Sequence, residues 1–135
     1  MTQTQQIGAF VLRLALGVMF IAHAALKIFV FTLPGTAAFF ASQGFPAWSA
    51  YPVVAAELAA GIALIAGFQV RLVSLATLPI LVGALAVHLP NGWVFSAPNG
   101  GWEYPAFLIV LVIVQALIGE GAYALRWNAQ RLAHA

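Results

Sequence analysis

Five side chains that can carry a charge or exchange a proton stand out in this chain: His23, Lys27, Glu57, His88 and Glu103. Histidine and glutamate are frequent proton donors and acceptors in enzymes, and a lysine ammonium is a compact cation with three N–H donors. His23 and Lys27 are four positions apart, so they share one face if this segment is helical. Whether these groups form one site depends on the elements that carry them.

The composition indicates that those elements lie in lipid. Of the 135 residues 64% are hydrophobic and only 6% are charged, and the mean hydropathy is +1.01. In soluble proteins about a quarter of the residues are charged, so we expect the lipid bilayer to be the main partner of this chain. The absence of cysteine excludes disulfides, cysteine-ligated zinc and iron–sulfur clusters. The chain has no run of basic residues, so nucleic acid is not an expected partner.

Four long apolar runs predict transmembrane helices at about residues 7–31, 51–68, 72–89 and 104–125. Each approaches the ~20 residues that a helix needs to cross a hydrocarbon core of about 30 Å. Residues 22–24 (AHA) are similar to a signal-peptide cleavage site, but residues 1–6 carry no basic side chain and Arg13 interrupts the apolar run, which favours a retained helix. The predicted fold class is all-α: a single transmembrane domain over residues 1–135, an integral membrane four-helix bundle with short extracytoplasmic loops that are re-entrant or interfacial.

Basic residues near the ends of the runs predict the orientation. Arg13, Arg71, Arg126 and Arg131 fall on one side of the predicted membrane, and Lys27 falls on the other. This distribution predicts that both termini are cytoplasmic and that the segments 32–50 and 87–105 face outward.

This topology brings the polar residues to one layer near the outer leaflet. An ionised group at membrane depth costs about 3 kcal/mol, so Glu57 is expected to pair with Lys27 or His23, or to be protonated. The segment after His88 contains two turn sequences, PNGW and PNGGW, which favour a lid over the layer. We predict a polar pocket formed by Arg13, His23, Lys27, Glu57, His88, Asn91, Asn99 and Glu103, with Trp93 and Trp102 at its rim. Glu57 and His88 are the candidate catalytic residues for proton exchange, and the others are candidate ligand-binding residues.

The same residues carry a family resemblance. Arg13, Gly17, His23 and Lys27 in the first helix, followed by AELAAG, VHLPNGW and GGWEY, resemble the DoxX family of small four-helix bacterial membrane proteins, and the resemblance extends from Arg13 to Tyr123. It implies a multi-pass protein of the bacterial cytoplasmic (inner) membrane. Relatives include a subunit of thiosulfate:quinone oxidoreductase, so the resemblance also implies a possible quinone ligand and a redox partner subunit.

Several functions remain open at this point. A quinone site needs an apolar slot, hydrogen-bond donors for the ring carbonyls and a group that exchanges protons. Haem b held by His23 and His88 is an alternative, as is a metal bound by histidines and glutamates of the layer. Two further alternatives are a homo-oligomer that encloses a transport path and a noncatalytic adaptor or assembly subunit. In the adaptor or assembly subunit the polar groups would form hydrogen bonds with one another.

Overall fold

A computed structural model of the chain describes residues 1–125, in which all regular elements are helical and no strand occurs. The predicted all-α class is therefore confirmed. The helices are α1 (Gln3–Ala25), α2 (Leu33–Ser42), α3 (Ala50–Ala66), α4 (Val70–His88) and α5 (Glu103–Ile118), with a π-helical turn, Leu26–Val30, that extends α1. Short 3₁₀ turns precede α3 (Ala47–Ser49) and follow α4 (Leu89–Asn91). Arg126 and Arg131, which contributed to the predicted orientation, lie outside the described residues.

Three helical stretches of the described chain are long and apolar enough to cross a membrane. With their flanking turns they are Gln3–Val30, Ala47–Ala66 and Val70–Asn91, of 28, 20 and 22 residues. They correspond to the first three predicted spans and define an integral membrane protein. The fourth predicted span corresponds to α5, which is also apolar but has only 16 residues. At 1.5 Å per residue α5 is about 24 Å long.

The end of α5 differs from the prediction, which continued this helix to residue 125. The helix stops at Ile118 because Gly119 and Gly121 adopt φ values of 84° and 68°, which break helical continuation. The chain then turns back across the bundle: the amide of Ala122 donates to the Gln6 carbonyl at 3.0 Å, and that of Leu125 donates to the Ala66 carbonyl at 2.9 Å. Residues 119–125 therefore cover helix ends instead of extending the last helix.

The segment 32–50 also has more structure than a connection. Its helix α2 begins at Leu33, with the Thr32 hydroxyl accepting from the Gly35 amide at 3.2 Å and with Pro34 in the first turn, where proline is favoured. Residues 28–56 carry no charged side chain. The aromatic side chains of this stretch are largely exposed, including Phe39 and Trp48 at 50% and 70%. Aromatic, uncharged surface of this kind is typical of the membrane interface.

Small residues bring α1 and α3 into direct backbone contact. A Cβ atom added to Gly17 would lie 2.8 Å from the Gly61 carbonyl oxygen, and one added to Gly61 would lie 2.8 Å from the Gly17 carbonyl oxygen. Close crossing at paired small residues is the usual packing solution between helices in lipid, where burial of apolar surface gives no drive to associate. The second main contact joins α4 to α5, and the core lies among these four helices, with Leu16, Leu64 and Val112 at its centre.

Two arginines hold the helix ends at one end of the bundle, here called the arginine end and defined by Arg13 and Arg71. Arg13 is fully buried and donates to four backbone carbonyls, those of Leu64, Ile65, Glu120 and Ala122, at 2.7–3.0 Å. Arg71 donates to the carbonyls of Ala116 and Leu117, both at 3.1 Å. The last carbonyls of a helix have no partner within the helix, so the two guanidinium groups complete the hydrogen bonding of α3 and α5.

Candidate functional site

The opposite end, here called the lysine end, is defined by Lys27 and its ion pair with Glu57. The Lys27 Nζ atom donates to both carboxylate oxygens of Glu57, at 2.6 and 2.7 Å. Only 6% of the Glu57 side chain and 21% of the Lys27 side chain are exposed. Of the two partners expected for Glu57, the structure thus pairs it with Lys27. A lone charge between apolar helices is costly in a membrane, and this bidentate pair gives each group a partner of opposite charge.

Local backbone features position the two partners. Lys27 lies in the π-helical turn at the end of α1, and π turns are rare and often lie at functional sites. Glu57 lies two turns into α3, on the same buried stripe as Val54 and Gly61. The Gly17–Gly61 crossing lies one turn further along α3, so it fixes the distance between the helices that carry the ion pair.

The helix α2 covers the lysine from outside the bundle. The buried hydroxyl of Thr36 lies 2.8 Å from the Thr32 carbonyl and 3.2 Å from the carbonyl of Lys27. Thr32 has a φ of 65°, which is uncommon for a β-branched residue. Thr36 was not among the predicted site residues, and the only sequence signal for it is a hydroxyl in an otherwise apolar segment.

The two histidines adopt the same hydrogen-bonded state. The Nδ1 atom of His23 lies 2.7 Å from the Met19 carbonyl, and that of His88 lies 2.6 Å from the Ala84 carbonyl. A carbonyl oxygen only accepts, so Nδ1 carries a proton in each ring. The His23 ring stacks on Tyr104 of α5, with centroids 5.7 Å apart.

The loop between α4 and α5, residues 89–102, closes on itself over the lysine end. The Asn91 side chain donates to the carbonyls of Asn99 and Gly100, at 3.2 and 2.8 Å. The two turn sequences pair through the Trp102 amide, which donates to the Gly92 carbonyl at 3.0 Å, and the rings of Trp93 and Trp102 meet edge to face at 4.6 Å. The loop is therefore a folded unit held by its own polar groups.

His88 supports this loop from the end of α4. A Cβ atom added to Gly100 would lie 3.3 Å from Cδ2 and 3.6 Å from Nε2 of His88. Gly100 has a φ of 81°, a conformation that glycine adopts at little cost. The edge of the His88 ring that carries Cδ2 and Nε2 therefore faces the loop backbone.

An open groove of about 320 Å³ lies between the loop and the first turns of α5, here called the aromatic groove and lined by Trp93, Phe95, Glu103, Tyr104 and Phe107. The Glu103 carboxylate accepts from the Phe95 amide at 3.0 Å. Trp93 and Glu103 were predicted site residues, but the other three were missed. The spacing of Glu103 and Phe107, four apart at the start of a helix, was the available signal for one of them.

The structure brings the predicted residues together in pairs rather than in one closed pocket. Lys27 pairs with Glu57. His88 lies against the loop that contains Asn91, Trp93, Asn99 and Trp102. Asn99 takes part in the hydrogen bonds of this loop through its backbone carbonyl. Within residues 1–125 the Nδ1 hydrogen bonds of the histidines go to their own helices. Arg13 is not brought to this end: it lies 14 positions before Lys27, or about 21 Å along α1, and its guanidinium is engaged at the arginine end.

The structure bears on the metal alternative and leaves the haem alternative untested. In the part of the chain that the structure describes, no three His, Asp or Glu side chains lie close enough together to hold a metal ion. The carboxylates and histidines of the suggested metal set are therefore not assembled. Haem b ligation by His23 and His88 stays a prediction.

Three apolar helices long enough to cross a bilayer, with a charged pair buried between two of them, define a helical integral membrane protein with polar chemistry at one end. The DoxX family pattern matches residues 8–89, and the chain belongs to the DoxX family. Similarity also extends to a Bacillus subtilis (strain 168) protein named "Putative oxidoreductase CatD", which is 32% identical over 127 residues, 93% of this chain and 89% of that protein. No solved structure matches the chain significantly.

Proposed function

We propose that this protein is a component of a membrane redox system and binds a quinone or a related small ring compound at the lysine end. The observation that carries the proposal is the Lys27–Glu57 ion pair, two charged groups kept between apolar helices. Ionisable residues inside a membrane are costly and are a mark of function. The similarity to a protein named as an oxidoreductase supports the redox assignment.

In this proposal α1, α3, α4 and α5 cross the bacterial cytoplasmic membrane, and both termini face the cytoplasm. Arg13 and Arg71 at one end and Lys27 at the other support this direction, because basic residues favour the cytoplasmic side. The short helix α5 crosses with local thinning of the bilayer, which costs only fractions of a kcal/mol per Å of mismatch. The lysine end then lies at the outer leaflet, with α2 in the interface.

The proposed roles follow from the chemistry of each group. Glu57 and His88 exchange protons with the ligand, Lys27 holds Glu57 in place, and Trp93 and Trp102 form the apolar rim. The ring enters at the aromatic groove, whose volume is within the usual range of small-molecule sites. Glu57 and His88 do not line this groove, so their proton exchange requires the ligand to reach from the groove beneath the loop. Electrons reach the ligand from a bound cofactor or a partner subunit, because the chain contains no cysteine for a thiol or iron–sulfur centre.

A noncatalytic adaptor or assembly subunit is the second candidate. It is favoured by the hydrogen bonds at the lysine end, which have partners within the protein. Asn91 donates to the loop backbone, Glu103 accepts from the Phe95 amide, and each histidine bonds to a carbonyl of its own helix. In that case the polar layer serves only to hold the helix ends together.

Ligand-dependent stabilisation separates the two candidates. A short-chain quinone at 100 times its dissociation constant is expected to stabilise the detergent-purified protein by about 2.7 kcal/mol. We expect the stabilisation to persist in Ser96→Ala, a control at an exposed position of the same loop, and to disappear in His88→Ala. The measurement is thermal unfolding with and without the quinone.

An equal ligand-dependent shift of the unfolding temperature in His88→Ala and wild type would show that His88 is not part of the site. No shift in any form, with lower stability of His88→Ala throughout, would favour the adaptor.

A further inference from the structure

We infer that the aromatic groove selects a ring that carries a hydroxyl group, so that the reduced quinol form of the ligand binds more tightly than the oxidised quinone. Glu103 is the residue that distinguishes the two forms. This inference rests on the proposed function, because it assigns the redox state of the ligand at the same end of the protein.

The walls of the groove fit a flat ring. Four of its five lining side chains are aromatic, and Trp93, Phe95 and Phe107 are each at least 60% exposed. Aromatic side chains bind other rings by stacking or by edge-to-face contact. An apolar cavity of about 150 Å³ accepts a benzene ring, so a groove of about 320 Å³ has room for a one-ring or two-ring compound.

Among residues 1–125, Glu103 supplies the one carboxylate that lines the groove. Glu103 is the first residue of α5, and an acidic side chain in the first turn of a helix interacts favourably with the helix dipole. The Phe95 amide donates to its Oε1 atom at 3.0 Å, which leaves Oε2 without this bond. An ionised carboxylate has about four acceptor positions and no donor, so acceptor capacity remains for a ligand.

Selectivity follows from the direction of the hydrogen bond. A quinol hydroxyl donates a proton to the Glu103 carboxylate in a charge-assisted hydrogen bond. A quinone carbonyl is itself an acceptor, and it meets the same carboxylate with repulsion between oxygens. The indole N–H of Trp93 and the Tyr104 hydroxyl, which has no hydrogen-bond partner among the described residues, do not discriminate, because each can donate to a hydroxyl or to a carbonyl oxygen. We expect the quinol to bind at least about tenfold more tightly than the quinone, the lower end of the range for one hydrogen bond to a charged group.

The test compares the two redox forms of one short-chain naphthoquinone by isothermal titration calorimetry under anaerobic conditions. The full chain in detergent is titrated with the oxidised compound and then with the compound reduced by dithionite. Dithionite has no disulfide to attack, since the chain contains no cysteine. In Glu103→Gln the amide oxygen still accepts from the Phe95 amide while the charge is lost, so the loop is kept and the preference is expected to fall below about twofold.

Phe107→Ala is the second variant, chosen because its side chain is 60% exposed and has no hydrogen-bonding atom. It is expected to weaken both redox forms by the same factor, about tenfold at most. Equal affinities of the two forms in the wild type, or a preference retained in Glu103→Gln, would overturn the inference while leaving ligand binding intact. Failure of both forms to bind would overturn the proposed function as well.

Discussion

Gly61→Leu is expected to separate α1 from α3 and to reduce the free energy of unfolding by about 3 kcal/mol or more. The new Cβ atom would lie 2.8 Å from the Gly17 carbonyl oxygen and 2.6 Å from the Ile21 Cγ1 atom, before the rest of the side chain is added. A backbone oxygen cannot rotate away as a side chain can, so the helices themselves must move. Thermal unfolding in detergent, followed by circular dichroism, measures the effect.

Gly83→Leu is the matched control for this substitution. Gly83 lies inside α4, and a Cβ atom there meets nothing within 4 Å. The same change of residue type should therefore leave the free energy of unfolding unchanged or raise it by up to about 1 kcal/mol, because leucine is a better helix former than glycine. Equal stability of the Gly61→Leu and Gly83→Leu variants would contradict the close crossing of α1 and α3.

Glu57→Ala is expected to have the other large effect, a loss of about 3–5 kcal/mol of stability. The substitution leaves the Lys27 ammonium without its partner between apolar helices, whereas the wild type holds it with two contacts of 2.6 and 2.7 Å. Replacing both partners, as in Lys27→Met with Glu57→Leu, removes both charges together. Because apolar replacements of a buried ion pair are often neutral, the double variant should recover most of the loss.

The double variant also separates stability from function. In the proposed function it folds but shows no stabilisation by a quinone, because proton exchange and the polar end of the site are gone. A double variant as unstable as Glu57→Ala would contradict the pairing of these residues. A stable double variant with full quinone response would show that the ion pair is not part of the ligand site.

Much of the fold was predictable because long apolar runs have few alternatives in lipid, where the backbone must satisfy its own hydrogen bonds. The helix ends were harder to predict. Apolarity continues past Ile118, so it did not reveal that Gly119 and Gly121 would end α5. The helix α2, whose first turn contains Pro34 and Gly35, was not predicted from the sequence.

The part of the site that could be predicted is the contact of Glu57, because an unpaired charge between apolar helices is costly. Glu57 needed a partner at membrane depth, and Lys27 was one of the two within reach. Arg13 shares a helix face with Lys27, but a shared face does not give the depth, and the free carbonyls that attract Arg13 exist only after the helix ends have come together. The aromatic groove was missed for the same reason, since Phe95 and Phe107 become neighbours only when the loop folds onto α5.

The central claim, that the lysine end binds a quinone, is tested most directly by mass spectrometry of the organic extract from gently purified protein. The account predicts about one quinone per chain in the wild type, and its loss in His88→Ala, while the Ser96→Ala control keeps it. Bulk phospholipid alone in the wild-type extract would contradict the account.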